Sequence, residues 1–221
     1  MLQRYLRKYI TTQKKKLNLK THKEILDHLR KDEILYNAIS VLGKEVKPEL
    51  NIDIYYSLMN SIVSQQLSIK VVKIIWRRFT DLFIDGYPEA EALLNMEHEL
   101  LRSIGLSNNK ARYVKNVAEF KLANNMSFDY LQSMEDEEII NYLTKIKGVG
   151  RWTVQMILMF PMDRPDVFPV DDLGIQNAMK SLYNIELEKK ELKLKMNEIA
   201  NVWHPHKTVA SKYLWELADN K

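Results

Sequence analysis

Apolar residues recur at helical spacing along nearly the whole chain, and this pattern is the strongest constraint on its fold. In 107–124, 136–146 and 151–160 apolar side chains lie three and four residues apart, which is the period of an α-helix. We find no set of alternating segments that would sustain a sheet. Only 161–169, which holds three prolines, is predicted to be extended, because proline lacks a backbone donor and blocks a helix. The sequence therefore predicts an all-α fold.

The length and composition allow a sizeable core. A chain of 221 residues with 46% hydrophobic content is enough for one large domain, or for two lobes between which the chain crosses. We predict two helical lobes. The predicted divisions are a basic N-terminal arm at 1–24, a lobe that combines 25–50 with 159–221, and a central helical bundle at 51–158.

The charge of the chain is unevenly distributed. The formal net charge is only +4, which permits nucleic-acid binding without requiring it. However, eight lysines and arginines fall between positions 4 and 23, before the first acidic residue at Glu24. Such a segment is either a solvated basic arm or an arm that steers the chain toward an anionic polymer.

The chain contains no cysteine, which excludes disulfides, thiolate zinc sites, iron–sulfur clusters and cysteine nucleophiles. It also has no apolar stretch of about 18 residues that would span a bilayer, and its N-terminus lacks the apolar core of a signal peptide. We therefore expect a soluble chain with no membrane association. It would be cytoplasmic and nucleoid-associated in a bacterium, or nuclear in a eukaryote.

The segment 143–153 places a Gly-Val-Gly turn between two apolar helices. Two glycines allow a sharp turn and let another molecule approach the backbone closely. The helix that follows presents unpaired N–H groups at its N-terminus, and Lys147 or Arg151 would add positive charge to this anion site. A phosphate held there would position a nucleic acid without reading its sequence. The alternative is an ordinary turn between packed helices.

A pair of aspartates stands between the extended segment and the next helical pattern. An aspartate in this position is typical of a helix N-cap. Because Asp171 and Asp172 are adjacent, they cannot both cap the same helix, and they must project in different directions.

Three segments together resemble the helix-hairpin-helix (HhH-GPD) DNA glycosylases, and more narrowly their 3-methyladenine type. They are IKGVGRWT at 146–153, VFPVDDLGIQ at 167–176 and IVSQQLSI at 62–69, and the resemblance covers roughly 25–217. It implies a helix-hairpin-helix DNA-binding motif and an active-site cleft between the two lobes. It also implies double-stranded DNA with a damaged base as the partner, the base being flipped out of the helix.

The resemblance assigns the catalytic carboxylate to Asp172. Hydrolysis of an N-glycosidic bond passes through an oxocarbenium-like sugar, which a fixed anion near C1′ stabilises. A 3- or 7-alkylated purine is already cationic, so it leaves as a neutral base without a general acid. We therefore expect a glycosylase for alkylated purines of the 3-methyladenine or 7-methylguanine type. Relatives with a lyase step carry a lysine where this chain has Trp152, so we expect a monofunctional enzyme.

The resemblance also assigns residues that hold the DNA and the base. Gln66 is the expected wedge that fills the gap left by the flipped nucleotide, with Gln65 and Leu67 beside it. The alternative is that the two glutamines satisfy helix-end backbone groups and that the tryptophans pack in a core. The expected DNA contacts in the hairpin are Lys147, Gly148, Val149, Gly150 and Arg151, and the expected base contacts are Trp152, Trp215, Met156 and Leu173.

Relatives also hold a monovalent cation, Na⁺ or K⁺, on hairpin carbonyls, which here would belong to Thr144, Ile146 and Gly148. No cofactor is expected for the chemistry, and nothing demands more than a monomer. Two other functions stay open. One is a same-fold glycosylase for uracil, hypoxanthine, an oxidised base or a mismatched base. The other is a DNA-binding module without catalysis, in which Asp172 only caps a helix.

Two weaker matches lie outside these segments. The stretch 203–210 fits the family's aromatic-x-Pro-x-basic-Ser/Thr pattern, in which we expect Thr208 to cap the last helix. His204 and His206 lie one residue apart, but no further ligands gather around them, so we expect no metal there. In GLSNNK at 105–110, Lys110 is a candidate for a phosphate contact.

Overall fold

The computed structural model describes residues 22–46 and 53–219, and every regular element in this part of the chain is helical. The fold class is therefore all-α, as the helical spacing predicts. No helix among the described residues has both the length and the apolar character needed to cross a bilayer. The predicted basic arm at 1–24 lies outside the described residues except for its last three positions.

The described residues divide into two compact units. Residues 22–46 and 164–219 form the first unit, and residues 53–163 form the second. The helices in chain order are α1 (His22–Leu29), α2 (Glu33–Leu42), α3 (Ile54–Ser64), α4 (Ile69–Thr80), α5 (Ala90–Asn95), α6 (His98–Ser103), α7 (Asn108–Ala123), α8 (Phe128–Gln132), α9 (Asp136–Leu143), α10 (Arg151–Met159), α11 (Leu173–Tyr183), α12 (Lys189–Ala200) and α13 (Lys207–Asp219), with 3₁₀ turns at Ile84–Gly86 and Asn201–Trp203.

The first unit contains a buried carboxylate that bonds three of its elements. Asp32, 9% exposed, caps α2 by accepting a hydrogen bond from the Leu35 N–H at 3.0 Å. Its other oxygen accepts from the Tyr183 hydroxyl at 2.6 Å and from the indole N–H of Trp203, a fully buried residue, at 2.8 Å. Because an unsatisfied buried donor is costly, this one side chain fixes α2, α11 and the Asn201–Trp203 turn against each other.

The second unit packs its helices around α3 and α7. Leu58, Met59, Ile62 and Val63 of α3 are fully buried, which matches the continuous apolar pattern of that segment. The sequence missed two helices here, α6 and α8. They contain six and five residues, which is too short for a helical period to show.

The start of one helix differs from the sequence expectation. The prediction that Thr208 caps the last helix is wrong, because α13 begins one residue earlier, at Lys207. The Thr208 hydroxyl instead accepts from the Val167 N–H at 3.0 Å and donates to the Arg164 carbonyl at 2.6 Å, which ties α13 to the extended segment.

Candidate active site and hairpin

Asp172 lies at the N-cap of α11, directly after the extended segment, and its side chain is half-buried. Its Oδ1 accepts a hydrogen bond from the Ile175 N–H at 2.9 Å, which is the capping bond. The same oxygen accepts from the indole N–H of Trp215, on α13, at 2.8 Å. Two donors from different helices thus fix the direction in which this carboxylate points.

The glycine two residues after Asp172 makes room for this arrangement. A Cβ built on Gly174 would lie 3.1 Å from Oδ1 of Asp172 and 3.2 Å from Cδ1 of Trp215, which is tighter than ordinary van der Waals contact. A side chain at this position would therefore press on both groups. A glycine in the first turn of α11 is unusual, because glycine is a poor helix former. Its presence in the sequence therefore indicates that a side chain is not tolerated there.

The two adjacent aspartates have different partners. Asp171 is exposed, and its carboxylate pairs with the Lys193 ammonium at 2.5 Å. Asp172 holds the cap, and the next residue, Leu173, is 68% exposed. The first unit therefore brings Asp172 together with Trp215 and places the exposed side chain of Leu173 directly after Asp172 in sequence.

The hairpin turn depends on the missing side chain of Gly148. This residue has φ +103°, and a Cβ there would lie 2.2 Å from Cγ of Tyr113. Asn116, one turn further along α7, donates a hydrogen bond from Nδ2 to the Lys147 carbonyl at 2.8 Å. The side chain of Val149 is buried, so only its backbone can serve the predicted DNA contact. Helix α7 therefore packs against the turn through Tyr113 and Asn116.

The outer face of the hairpin is open. Gly150 is the exposed N-cap of α10, and a Cβ there would have nothing within 4 Å. The first N–H groups of a helix have no partner within it, and the helix dipole favours an anion at that end. Lys147 is exposed beside this position. Arg151 is also exposed, but its guanidinium forms a two-pronged ion pair with Glu137, and this hydrogen bonding lowers the pKa of that carboxyl.

The predicted cation site consists of main-chain carbonyls in this turn. The Ile146 carbonyl accepts a hydrogen bond from the Val149 N–H at 3.0 Å, which leaves it one lone pair. Thr144 is the C-cap of α9, and a carbonyl at a helix end has no partner within the helix. Oxygen donors of this kind fit a hard cation. Among the described residues, no group of three or more His, Asp or Glu side chains could hold a metal ion.

Gln66 lies in the turn between α3 and α4 with an exposed side chain and φ 58°. The neighbouring Gln65 is half-buried, and its amide nitrogen lies 3.5 Å from Oγ1 of Thr153 on α10. The ammonium of Lys110 donates to the carbonyls of Val63 at 2.9 Å and Gln65 at 2.6 Å. The side chain of Gln65 thus contacts α10 within the second unit, whereas that of Gln66 is exposed.

The remaining predicted base contacts lie on α10. Trp152 is 39% exposed, and Met156 follows it four residues later, so the two share one face of the helix. Both belong to the second unit together with the hairpin and Gln66, whereas Asp172, Leu173 and Trp215 belong to the first.

The comparisons with known proteins agree with these motifs. Residues 59–205 match the family model described as HhH-GPD superfamily base excision DNA repair protein. The chain is 34% identical over 197 residues to the putative DNA-3-methyladenine glycosylase YfjP of Bacillus subtilis, which covers 86% of this chain and 67% of that protein. It is 35% identical over 167 residues to DNA-3-methyladenine glycosylase 1 of Schizosaccharomyces pombe, covering 74% of this chain and 72% of that protein.

One solved structure extends the likeness to three dimensions. The 3-methyladenine DNA glycosylase Mag1 of Schizosaccharomyces pombe, in complex with abasic DNA, superposes with a TM-score of 0.78 at 30% identity. The match covers 87% of this chain and 95% of that one. With the family model spanning 59–205, the chain belongs to the HhH-GPD superfamily of base excision DNA repair proteins.

Proposed function

We propose that this chain is a DNA glycosylase that hydrolyses the N-glycosidic bond of alkylated purines, of the 3-methyladenine or 7-methylguanine type, in base excision repair. The observation that carries the proposal is the Asp172 carboxylate, held at the N-cap of α11 by the Ile175 N–H and the Trp215 indole. The names of the relatives, which are 3-methyladenine glycosylases, support the substrate class.

In the proposed reaction, the bond from C1′ to the base nitrogen breaks and both its electrons go to the base. A cationic alkylated purine becomes neutral in this step, so no acid is needed, and positive charge develops on the sugar. The fixed negative charge of Asp172 stabilises that sugar. Water then bonds to C1′ and releases a proton, which Asp172 accepts and passes to solvent. One carboxylate is sufficient for this sequence.

The DNA would be held by the second unit. The N-terminus of α10, with Gly150 exposed at its cap and Lys147 nearby, suits a backbone phosphate. A cation on the carbonyls of Thr144, Ile146 and Gly148 would add positive charge to the same turn. Gln66 would enter the duplex as the wedge. The enzyme would act on double-stranded DNA as a monomer.

The exposed indole of Trp152 suits the base itself. An indole face attracts a cationic purine by about 0.5–2 kcal/mol, and the value rises as water is excluded from the contact. Met156, Leu173 and Trp215 would complete the apolar contact with the base. Since Trp152 also stands two residues after Gly150, where lyase-type relatives have lysine, we propose that the enzyme has no lyase step.

The experiment is base release from methylated genomic DNA by the wild type and by Asp172→Asn. Asparagine caps a helix as well as aspartate, so this variant removes the charge and keeps the fold. We expect at least about a hundredfold slower release, because a fixed electrostatic contact to the transition state is worth that much. Release at the wild-type rate would show that Asp172 is not the catalytic carboxylate.

Duplexes with single lesions separate the other functions. We expect release of 3-methyladenine or 7-methylguanine and none of uracil, because a neutral base needs a proton donor as it leaves. A DNA-binding module without catalysis would bind every duplex and release no base. Nicking of abasic DNA without added alkali would contradict the monofunctional mechanism.

A further inference from the structure

We propose that Lys110 is a positioning residue that holds the wedge turn, defined here as residues 65–68, in the conformation that presents Gln66 to DNA. The inference rests on the proposed function, in which Gln66 is the wedge. It assigns to Lys110 a main-chain role in place of the phosphate contact expected from its sequence.

The wedge turn has a conformation that needs external support. Gln66 has φ 58°, in the left-handed region that residues other than glycine seldom adopt. Such a residue persists only where its surroundings hold it. The turn also follows the C-terminus of α3, where the last carbonyls of a helix have no partner within it. A fixed hydrogen-bond donor at this point would both hold the backbone of the turn and bond a carbonyl at the C-terminus of α3.

Lys110 supplies that donor from the first turn of α7. Its ammonium bonds the Val63 carbonyl in the last turn of α3 and the Gln65 carbonyl immediately before Gln66. A cation at a helix C-terminus is also favoured by the helix dipole. These two bonds fix the peptide that leads into Gln66, so the side chain of the wedge leaves the turn in one direction.

The surroundings of Lys110 agree with this role. The side chain is part-buried, and burial lowers its pKa from the ordinary lysine value. A partly desolvated ammonium is stable only when it is well bonded, and its two carbonyl partners lie within 3 Å. Two of its three N–H donors are therefore used by main-chain carbonyls of α3 and the wedge turn.

The chain provides a matched control on the same helix. Lys115 also donates from α7 to two carbonyls, those of Leu94 at 3.1 Å and Met96 at 2.6 Å. It holds the C-terminus of α5 and not that of α3. Removal of either ammonium therefore removes two hydrogen bonds to main-chain carbonyls, but only Lys110 bonds the wedge turn.

The experiment compares Lys110→Met with Lys115→Met. Affinities are measured for a duplex with a tetrahydrofuran abasic site and for an undamaged duplex, over a series of NaCl concentrations, and thermal unfolding is recorded for each variant. We expect both variants to lose similar stability. Only Lys110→Met should bind the abasic duplex more weakly, by about tenfold, with an unchanged salt slope.

Two further variants connect the effect to the wedge. We expect Gln66→Ala to weaken abasic-site binding by itself, and Lys110→Met to add little in that background, because both changes remove the same contact. We expect Lys110→Arg, which keeps the charge and donors, to bind nearly as the wild type does. Should Lys110→Met not fold, Lys110→Gln is compared with Lys115→Gln in the same way.

Three results would overturn the inference. A salt slope lower by about one in Lys110→Met would identify a phosphate contact. Equal binding by the Lys110 and Lys115 variants would leave only a stability role, and the wedge assignment would still stand if Gln66→Ala binds weakly. If Gln66→Ala binds the abasic duplex as the wild type does, the wedge itself is wrongly assigned, and the inference fails with that part of the proposed function.

Discussion

Replacement of Gly148 by alanine tests whether the hairpin requires a missing side chain. The added Cβ would lie 2.2 Å from Cγ of Tyr113 and 2.4 and 2.6 Å from its two Cδ atoms. These are ring atoms next to the Tyr113 backbone, not the end of a flexible chain, so either α7 or the turn must move. The residue would also have to keep φ +103°, which only glycine adopts readily.

The expected cost combines these two penalties with one compensating effect. Left-handed backbone costs a residue other than glycine about 1–2 kcal/mol. Overpacking of a well-filled site costs about 1–3 kcal/mol. The lower entropy of the unfolded chain with alanine returns about 0.4–1 kcal/mol. We therefore expect Gly148→Ala to lower the free energy of unfolding by about 1–5 kcal/mol, compared with a typical total of about 5–15 kcal/mol.

Gly150→Ala is the matched control. Its φ is −96°, and a Cβ there would meet nothing within 4 Å, so we expect a loss of at most about 1 kcal/mol, because alanine is a poorer N-cap than glycine. The methyl group would instead stand where we propose that a phosphate binds at the N-terminus of α10, and we expect DNA affinity to fall by about tenfold or more. Urea denaturation followed by circular dichroism measures the first quantity, and fluorescence anisotropy with an undamaged duplex measures the second.

Two results would refute this reasoning. Gly148→Ala with an unfolding free energy within 1 kcal/mol of the wild type would show that the turn tolerates a side chain. A double-mutant cycle with Tyr113→Ala isolates the steric part, since the penalty from the positive φ remains when the ring is removed. Zero coupling between the two changes would mean that the ring and the added methyl group do not compete for space.

Two further variants test side chains that act through hydrogen bonds. Trp215→Phe keeps an aromatic ring but removes the N–H that Asp172 accepts, so we expect kcat/KM for base release to fall about tenfold. Unchanged kcat/KM in kinetics with methylated DNA would exclude the indole from positioning the carboxylate. Asp32→Ala removes the cap of α2 and leaves the donors of Tyr183 and Trp203 buried without their acceptor, so we expect a loss of about 3–5 kcal/mol in urea denaturation. A loss below about 1 kcal/mol would mean that water replaces the carboxylate.

Helices long enough to repeat their pattern were predictable from sequence. The segment 107–124 was expected to be helical, and α7 covers Asn108–Ala123. Helix α11 likewise begins directly after the aspartate pair that predicts a cap. The misplaced cap at Thr208 has a different origin, because its hydroxyl bonds residues more than forty positions away. A local motif contains no information about such partners.

The candidate site divides in the same way. The hairpin and Asp172 could be named as candidates because each lies within a contiguous sequence motif. The residues that contact them could not be named in the same way. Tyr113 lies against Gly148, and Trp215 donates to Asp172, although tens of residues separate the partners in the chain. The lysine that bonds the wedge turn is 45 positions from Gln65. These contacts depend on how the helices pack, which a single sequence does not reveal.

The structure also changes how the two interpretations of Asp172 relate to each other. Capping and catalysis were alternatives in the sequence, because one aspartate at a helix start needs only one explanation. In the structure, the capping bond from the Ile175 N–H and the bond from Trp215 end on the same oxygen. A cap that fixes a carboxylate is also what electrostatic catalysis requires, since a preorganised charge needs no reorientation as the sugar becomes positive. Asp172→Asn should therefore unfold at nearly the wild-type denaturant concentration and yet release almost no base, a combination that neither a pure cap nor an unsupported charge would produce.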